Sequence, residues 1–167
     1  MDLRFEEAPD RAYELMREII KDESLHWPTE LVNAKILILI DTKKRMSGEK
    51  IVLGRMSKTN DLTRHLTIDD SGEERPAGYD YIMYLDKILW KFTEDADRIR
   101  VLRHELKHTS IEDCATPYKL RGHTIEDFYS EVKLNEDDPF WRTRVATMVD
   151  SKYEELKNPQ GKLPGMG

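Results

Sequence analysis

The stretch Arg103-His104-Glu105-Leu106-Lys107-His108 decides how the rest of the chain is read. Two histidines four residues apart project from one face of an α-helix, one turn apart. Both imidazoles can then grip one metal ion. Glu105 points to the same side, where it can take a proton from a metal-bound water. The flanking residues predict the helix. Thr93 suits an N-cap, and Glu94 and Asp95 stand where the helix dipole favours acid. From Ala96 to Thr109 there is neither Gly nor Pro. At about 100° per residue the positions sort into three faces. Val101, His104, Glu105 and His108 share one. Ile99, Leu102 and Leu106 share a second, expected to pack on the core. Arg100, Arg103 and Lys107 share a third, expected to meet solvent. A metal face beside an apolar face suits an active-site helix laid against a sheet. A surface helix with two incidental histidines is the plainer alternative.

Composition narrows the setting. The 167 residues suffice for one domain with a core of its own. Charged residues make up 36% and hydrophobic ones 38%, which fits a soluble protein with a highly charged surface. A net charge of −6 argues against a general nucleic-acid or membrane-surface binder. Cys114 is the only cysteine, so no intrachain disulfide forms and a reducing compartment is expected. The N-terminal residues hold no apolar run of the secretory kind, and the longest purely apolar run, Ile36 to Ile40, is too short to cross a bilayer. A cytoplasmic protein is expected, with one domain over residues 1–156 and a loose Pro-, Gly- and Lys-containing tail over 157–167.

Upstream of the helix, residues 8–24 carry Ala12, Leu15, Met16, Ile19 and Ile20 at helical spacing, a core-packing pattern that Trp27-Pro28 ends. Residues 34–41 (AKILILID) read as a buried strand and 50–57 (KIVLGRMS) as a second, the two expected to form a hairpin across the Met46-Ser47-Gly48 turn. Gly54 suggests a bulge. Residues 59–67 are ambiguous, and 70–78 form a loop by composition. Residues 79–86 (YDYIMYLD) suit a third strand, whose open edge is a candidate for pairing with an extended substrate. His26 and His65 lie in polar or broken segments and read as surface residues. Trp90, leading into the helix, reads as core.

Downstream, residues 111–121 read as a connecting loop. A thiol nucleophile at Cys114 would need a base not committed to a metal, which disfavours it. Thr124 with Asp127 approximates a capping box for a helix from Ile125 to about Leu134, burying Phe128 and Val132. A last helix, from Pro139 to Leu156, carries Phe140, Trp141, Val145, Met148, Val149 and Tyr153 and should close the core.

A catalytic zinc takes three protein ligands and keeps one position for water. His104 and His108 supply two. For the third, His123 leads, because a neutral imidazole suits zinc and Gly122 lets the backbone turn closely before it. Glu126, Asp127 and Glu131 are rivals, since carboxylates also serve. The oxyanion would need a further donor. Tyr129 and Arg121 lie within sequence reach, but packing and solvation are their commoner roles. Asp127 is also a candidate partner for a ligand histidine.

RHELKH followed by RGHTIEDF, behind a Tyr/Ile-rich strand and a Trp, resembles the Putative phage metallopeptidase family and, more loosely, the SprT-like zinc proteases. The resemblance spans roughly residues 79–134 and rests on a short motif. It implies an α+β, zincin-like fold, a small mixed sheet packed against an active-site helix with further helices. It also implies zinc (Zn2+) on His104, His108 and His123, Glu105 as general base, and a peptide or protein substrate. The chain lacks the Cys-rich ribbon or basic tail by which some SprT-like proteins reach DNA, which argues against a DNA-linked substrate. Two other functions stay open: a catalytically silent protein that binds a partner on the same scaffold, and a hydrolase of a non-peptide amide or ester.

Overall fold

The computed structural model describes residues 3–68, 78–111, 118–122 and 128–158, and every structural statement below concerns these. The chain is α+β, with a small mixed sheet and six α-helices among the described residues. β1 (Phe5–Glu7) leads through Pro9, whose φ of −65 suits a helix entry, into α1 (Asp10–Lys21). Ala12, Leu15, Met16 and Ile19 of α1 are buried, as their spacing foretells. Two short 3₁₀ turns follow, around Trp27-Pro28, and the Trp27 indole N–H donates to the Ile19 carbonyl at 2.9 Å.

β2 (Ile36–Asp41) is the apolar run, and β3 (Met46–Ser47) and β4 (Lys50–Ile51) form a small hairpin around Gly48, whose φ is +62. β5 (Gly54–Lys58) comes next, then α2 (Asp61–Leu66), which resolves the ambiguous 59–67 segment. Asn60 and Thr63 close a capping box at its start. β6 (Tyr81–Asp86) then runs into α3 (Lys87–Phe92), whose N-cap is Asp86.

The sheet order is β1–β2–β6–β5. β2 and β6 run parallel, Ile38 opposite Met83, and β1 and β5 flank them antiparallel. This corrects two expectations. The strands at 34–41 and 50–57 do not pair as a hairpin, because β6 stands between them. Nor does β6 offer an edge, since both its sides are paired. Its alternating buried positions, with those of β2, make it the better central strand. The edge strands are β1 and β5.

α4 (Asp95–Leu106) carries the quoted stretch. Its N-cap is Glu94. Thr93, expected there, instead closes α3 by donating its hydroxyl to the Leu89 carbonyl at 2.6 Å. Leu102 and Leu106 are fully buried, each worth about 1.5–3 kcal/mol of apolar transfer. Arg100, Arg103 and Lys107 are not solvated as expected, because acidic and amide groups from the C-terminal third cover that face. β7 (Thr109–Ile111) and β8 (Tyr118–Leu120) form a hairpin where a connecting loop was expected, tied to the sheet by the Tyr81 hydroxyl donating to the Lys119 carbonyl at 2.8 Å.

α5 (Tyr129–Leu134) starts later than expected, with Phe128 as its extended N-cap. Phe128 is buried, but Val132 is 47% exposed because the short helix turns it outward. α6 (Trp141–Lys157) buries Trp141, Val145, Val149 and Tyr153, whereas Phe140, before its first turn, is 78% exposed. The tail expected after the last helix falls almost wholly outside the described residues. No helix among them is long and apolar enough to cross a membrane.

Candidate metal centre

The last turn of α4 delivers His104 and Glu105, and the chain leaves the helix at Lys107 with αR geometry. The backbone N–H of His108 donates to the Glu105 carbonyl at 3.1 Å, three residues back, so a tightened 3₁₀-type turn carries His108 past the helix end. The three side chains converge. One ligand atom from each of His104, Glu105 and His108 lies within 4.8 Å of the others. His104 and Glu105 are buried, 2% and 3% exposed, and His108 is half-buried.

The ring orientations have identifiable causes. His108 Nδ1 lies 2.8 Å from the Arg121 carbonyl. A carbonyl only accepts, so Nδ1 carries a proton and Nε2 is the nitrogen left for a ligand role. Arg121 is braced in turn. Its Nε donates to the Lys107 carbonyl at 2.6 Å, its backbone N–H donates to the His108 carbonyl at 2.7 Å, and its guanidinium lies over the Phe128 ring. Phe128 packs against both imidazoles, at 5.4 Å from His104 and 5.0 Å from His108 between ring centres. Arg142, from the first turn of α6, places Nη2 at 3.3 Å from His104 Nε2. A guanidinium is donor only, so that imidazole nitrogen accepts and holds no proton.

Gly54, at the start of β5, explains how closely the helix meets the sheet. A Cβ there would stand 3.1 Å from Glu105 Cγ and 3.2 Å from both the Tyr84 carbonyl oxygen and Val101 Cγ1. The residue expected to mark a bulge is a close-approach glycine beside the carboxylate.

A second polar group lies on the adjacent face of α4. Arg103 donates from Nε to Glu131 at 3.1 Å and from Nη2 to Asn135 Oδ1 at 2.8 Å, and Glu131 is fully buried. Asn135 Nδ2 is buried with no partner among the described residues. Burial holds the Lys107 amine below its usual range, against the opposing pull of Glu131, and its Nζ lies 4.3 Å from the Trp27 ring centre. Glu131, a rival for third ligand, thus accepts from Arg103 in this neighbouring group. His123, Glu126, Asp127 and Cys114 lie outside the described residues, as does the Tyr129 side chain. His26 and His65 are exposed and take no part in the cluster.

Sequence reasoning missed Gly54, Phe128 and Arg142 as parts of this site. Phe128 was assigned to the core, and Arg142 is one position off the apolar seam of α6, with no spacing that points to the histidines. The donor set, two imidazoles and a carboxylate, matches what borderline divalent ions such as zinc take. A family model described as Putative phage metallopeptidase matches residues 3–153. No curated protein and no solved structure matches the chain.

Proposed function

The chain belongs to the Putative phage metallopeptidase family, and from that premise we propose that it is a zinc-dependent peptidase with Glu105 as general base and His104, His108 and His123 as the metal's ligands. Membership itself implies a metal ion and a peptide or protein substrate. The finer reading takes residues 1–156 as one zincin-like domain. The observation that carries it is the convergence of His104, Glu105 and His108 within 4.8 Å at the end of one helix.

Zinc bound there would supply Lewis acidity, bringing the pKa of a water toward neutral and polarising a carbonyl. The rest is the work of the chain. The Arg121 carbonyl holds the His108 proton on Nδ1 and so aims Nε2 inward. The Phe128 ring shields both imidazoles from bulk water, which strengthens every charge interaction inside. Glu105, buried against Gly54, accepts the proton of the attacking water and passes it to the leaving amine.

The β5 edge, on the side of Glu105, supports a peptide rather than a compact substrate. The Asp86 N–H donates to Leu53 and the Thr59 N–H to Asp80. That alternation turns the N–H and C=O groups of Gly54, Met56 and Lys58 away from β6. An extended peptide laid beside β5 would pair with these groups and pass Glu105 at Gly54.

Metal analysis with an unbiased peptide-library digest tests the reading. We expect about one zinc per chain, as a three-ligand site implies. Glu105→Gln should keep the metal and lose about 10³-fold in cleavage rate, within the range for general-base removal. A Glu105→Gln protein that cleaves at the wild-type rate overturns the role of Glu105.

A further inference from the structure

The contact between Arg142 and His104 has a consequence beyond orientation. Three neighbouring arginines are balanced by acid: Arg103 by Glu131, Arg100 by Asp97 and Asp137, and Arg144 by Asp97 and Asp138. Arg142 pairs with no carboxylate among the described residues. Its partner there is an imidazole lone pair, at 3.3 Å. Trp141, 3% exposed, anchors the helix turn that presents it.

One lone pair cannot serve two cations. A zinc ion sits about 2.0–2.1 Å from an imidazole nitrogen, inside the distance at which the guanidinium now stands. Like charges in a half-buried space also repel more than in water. We propose that Arg142 competes with the metal for His104: a divalent ion that binds takes the Nε2 lone pair from the guanidinium, which then donates to the carbonyl oxygen of the substrate as negative charge develops there. This rests on the peptidase reading and fills the oxyanion-donor role that Tyr129 and Arg121 were considered for. Arg121 is committed to the Lys107 carbonyl. The flexible stem of Arg142 lets the planar head move while α6 stays packed.

The test measures two quantities on full-length protein. The first is Zn2+ affinity by chelator competition for the wild type, Arg142→Gln and Arg142→Lys. Removing a competing cation should tighten zinc binding, about tenfold for Arg142→Gln. The second is kcat and KM on a peptide that the wild type cleaves in the library digest. Arg142→Gln should lose about 10²-fold in kcat, the loss typical of one oxyanion donor, with KM changed less than about threefold. Arg142→Lys should recover part of that kcat. A residue that merely braces His104 gives the opposite sign: weaker zinc binding on removal, which overturns the proposal. Unchanged affinity, or tighter zinc with unaltered kcat, overturns it too. If Arg142→Gln does not fold, Arg142→Lys decides alone, by zinc affinity equal to or above the wild type together with reduced kcat. A wild type that binds no zinc or cleaves no peptide fails at the earlier reading, an outcome distinct from any difference between variants.

Discussion

Two groups of polar side chains are buried side by side at the end of α4, and they are completed in different ways. In one, the Arg103 guanidinium meets the Glu131 carboxylate and the Asn135 amide oxygen. Cation and anion are both supplied by the chain. In the other, His104, Glu105 and His108 converge, and the one cation hydrogen-bonded to them among the described residues is Arg142, through His104. The two start one residue apart in sequence, on adjacent faces of the same turn. The first group is a lock, because removing either partner strands a buried charge. The second gathers two imidazoles and a carboxylate at one point, the donor set that a site receiving a borderline divalent ion requires.

The largest effect that could break this contrast comes from Glu131→Gln. The variant leaves Arg103 largely buried without its anion, a loss of about 3 kcal/mol by analogy with other broken buried pairs. Urea unfolding should show it as a lower midpoint with an unchanged slope. Zinc affinity, measured on the folded fraction, should stay close to the wild type, since the described hydrogen bond of Glu131 is to Arg103, and it is the loss of a partner on a ligand itself that costs about 10–100-fold. Loss of zinc at unchanged stability would move Glu131 into the metal group and erase the distinction.

How far the sequence foretold these groups depends on how local their signals are. His104, Glu105 and His108 share a helix turn, so their spacing alone brings them together. The strand at 34–41 announced itself as a continuous apolar run, and that at 79–86 through its aromatic and β-branched residues. Their neighbours did not. Nothing within residues 50–58 says that β6, more than twenty positions later, will insert between them and β2. The covered face of α4 was equally hidden. Arg100, Arg103 and Lys107 read as solvated until Glu131, Asn135 and Asp137 arrive from the C-terminal third. Arg142 and Gly54 act on the site through tertiary contact alone, and no periodicity encodes that.

Gly54→Ala sharpens the comparison from the metal side, with an intermediate effect. The new Cβ would crowd Glu105 Cγ at 3.1 Å and the Tyr84 carbonyl oxygen at 3.2 Å. The carbonyl belongs to a paired strand and yields little, so the strain falls on Glu105 and on the fit of α4. We expect a stability loss of about 1–2 kcal/mol, the usual scale of overpacking. The cleavage rate should fall by more than that loss explains, while zinc affinity holds, because the methyl displaces the base rather than the imidazoles. Equal losses in zinc binding and cleavage would show that the glycine serves the whole cluster and not the carboxylate.

The smallest effect belongs to a third charged group, at the other end of α4, and its sign can be worked out. Asp97 accepts from Arg144 at 2.7 and 3.0 Å and from Arg100 at 2.9 Å. Burial pushes its carboxyl up, but the hydrogen bonds from Arg144 and Arg100 outweigh burial and hold it below the usual carboxylate range. A depressed folded value means that the stability Asp97 contributes is present above its unfolded value, about 3.9, and is lost as the pH falls through the folded one. Arg144 is half exposed, so solvent screens much of its share, and the total should be under about 1 kcal/mol. Asp97→Asn should therefore lower the melting temperature slightly at pH 6, and the gap to the wild type should close as the pH drops toward 2. Added salt should narrow the gap at pH 6 as well, because the Arg144 pair is open to screening. The Arg103–Glu131 lock, with its carboxylate fully buried, should be nearly indifferent to the same salt. If salt weakens both pairs alike, the lock is wetter than its burial implies, and the contrast between the two faces of α4 loses its physical basis.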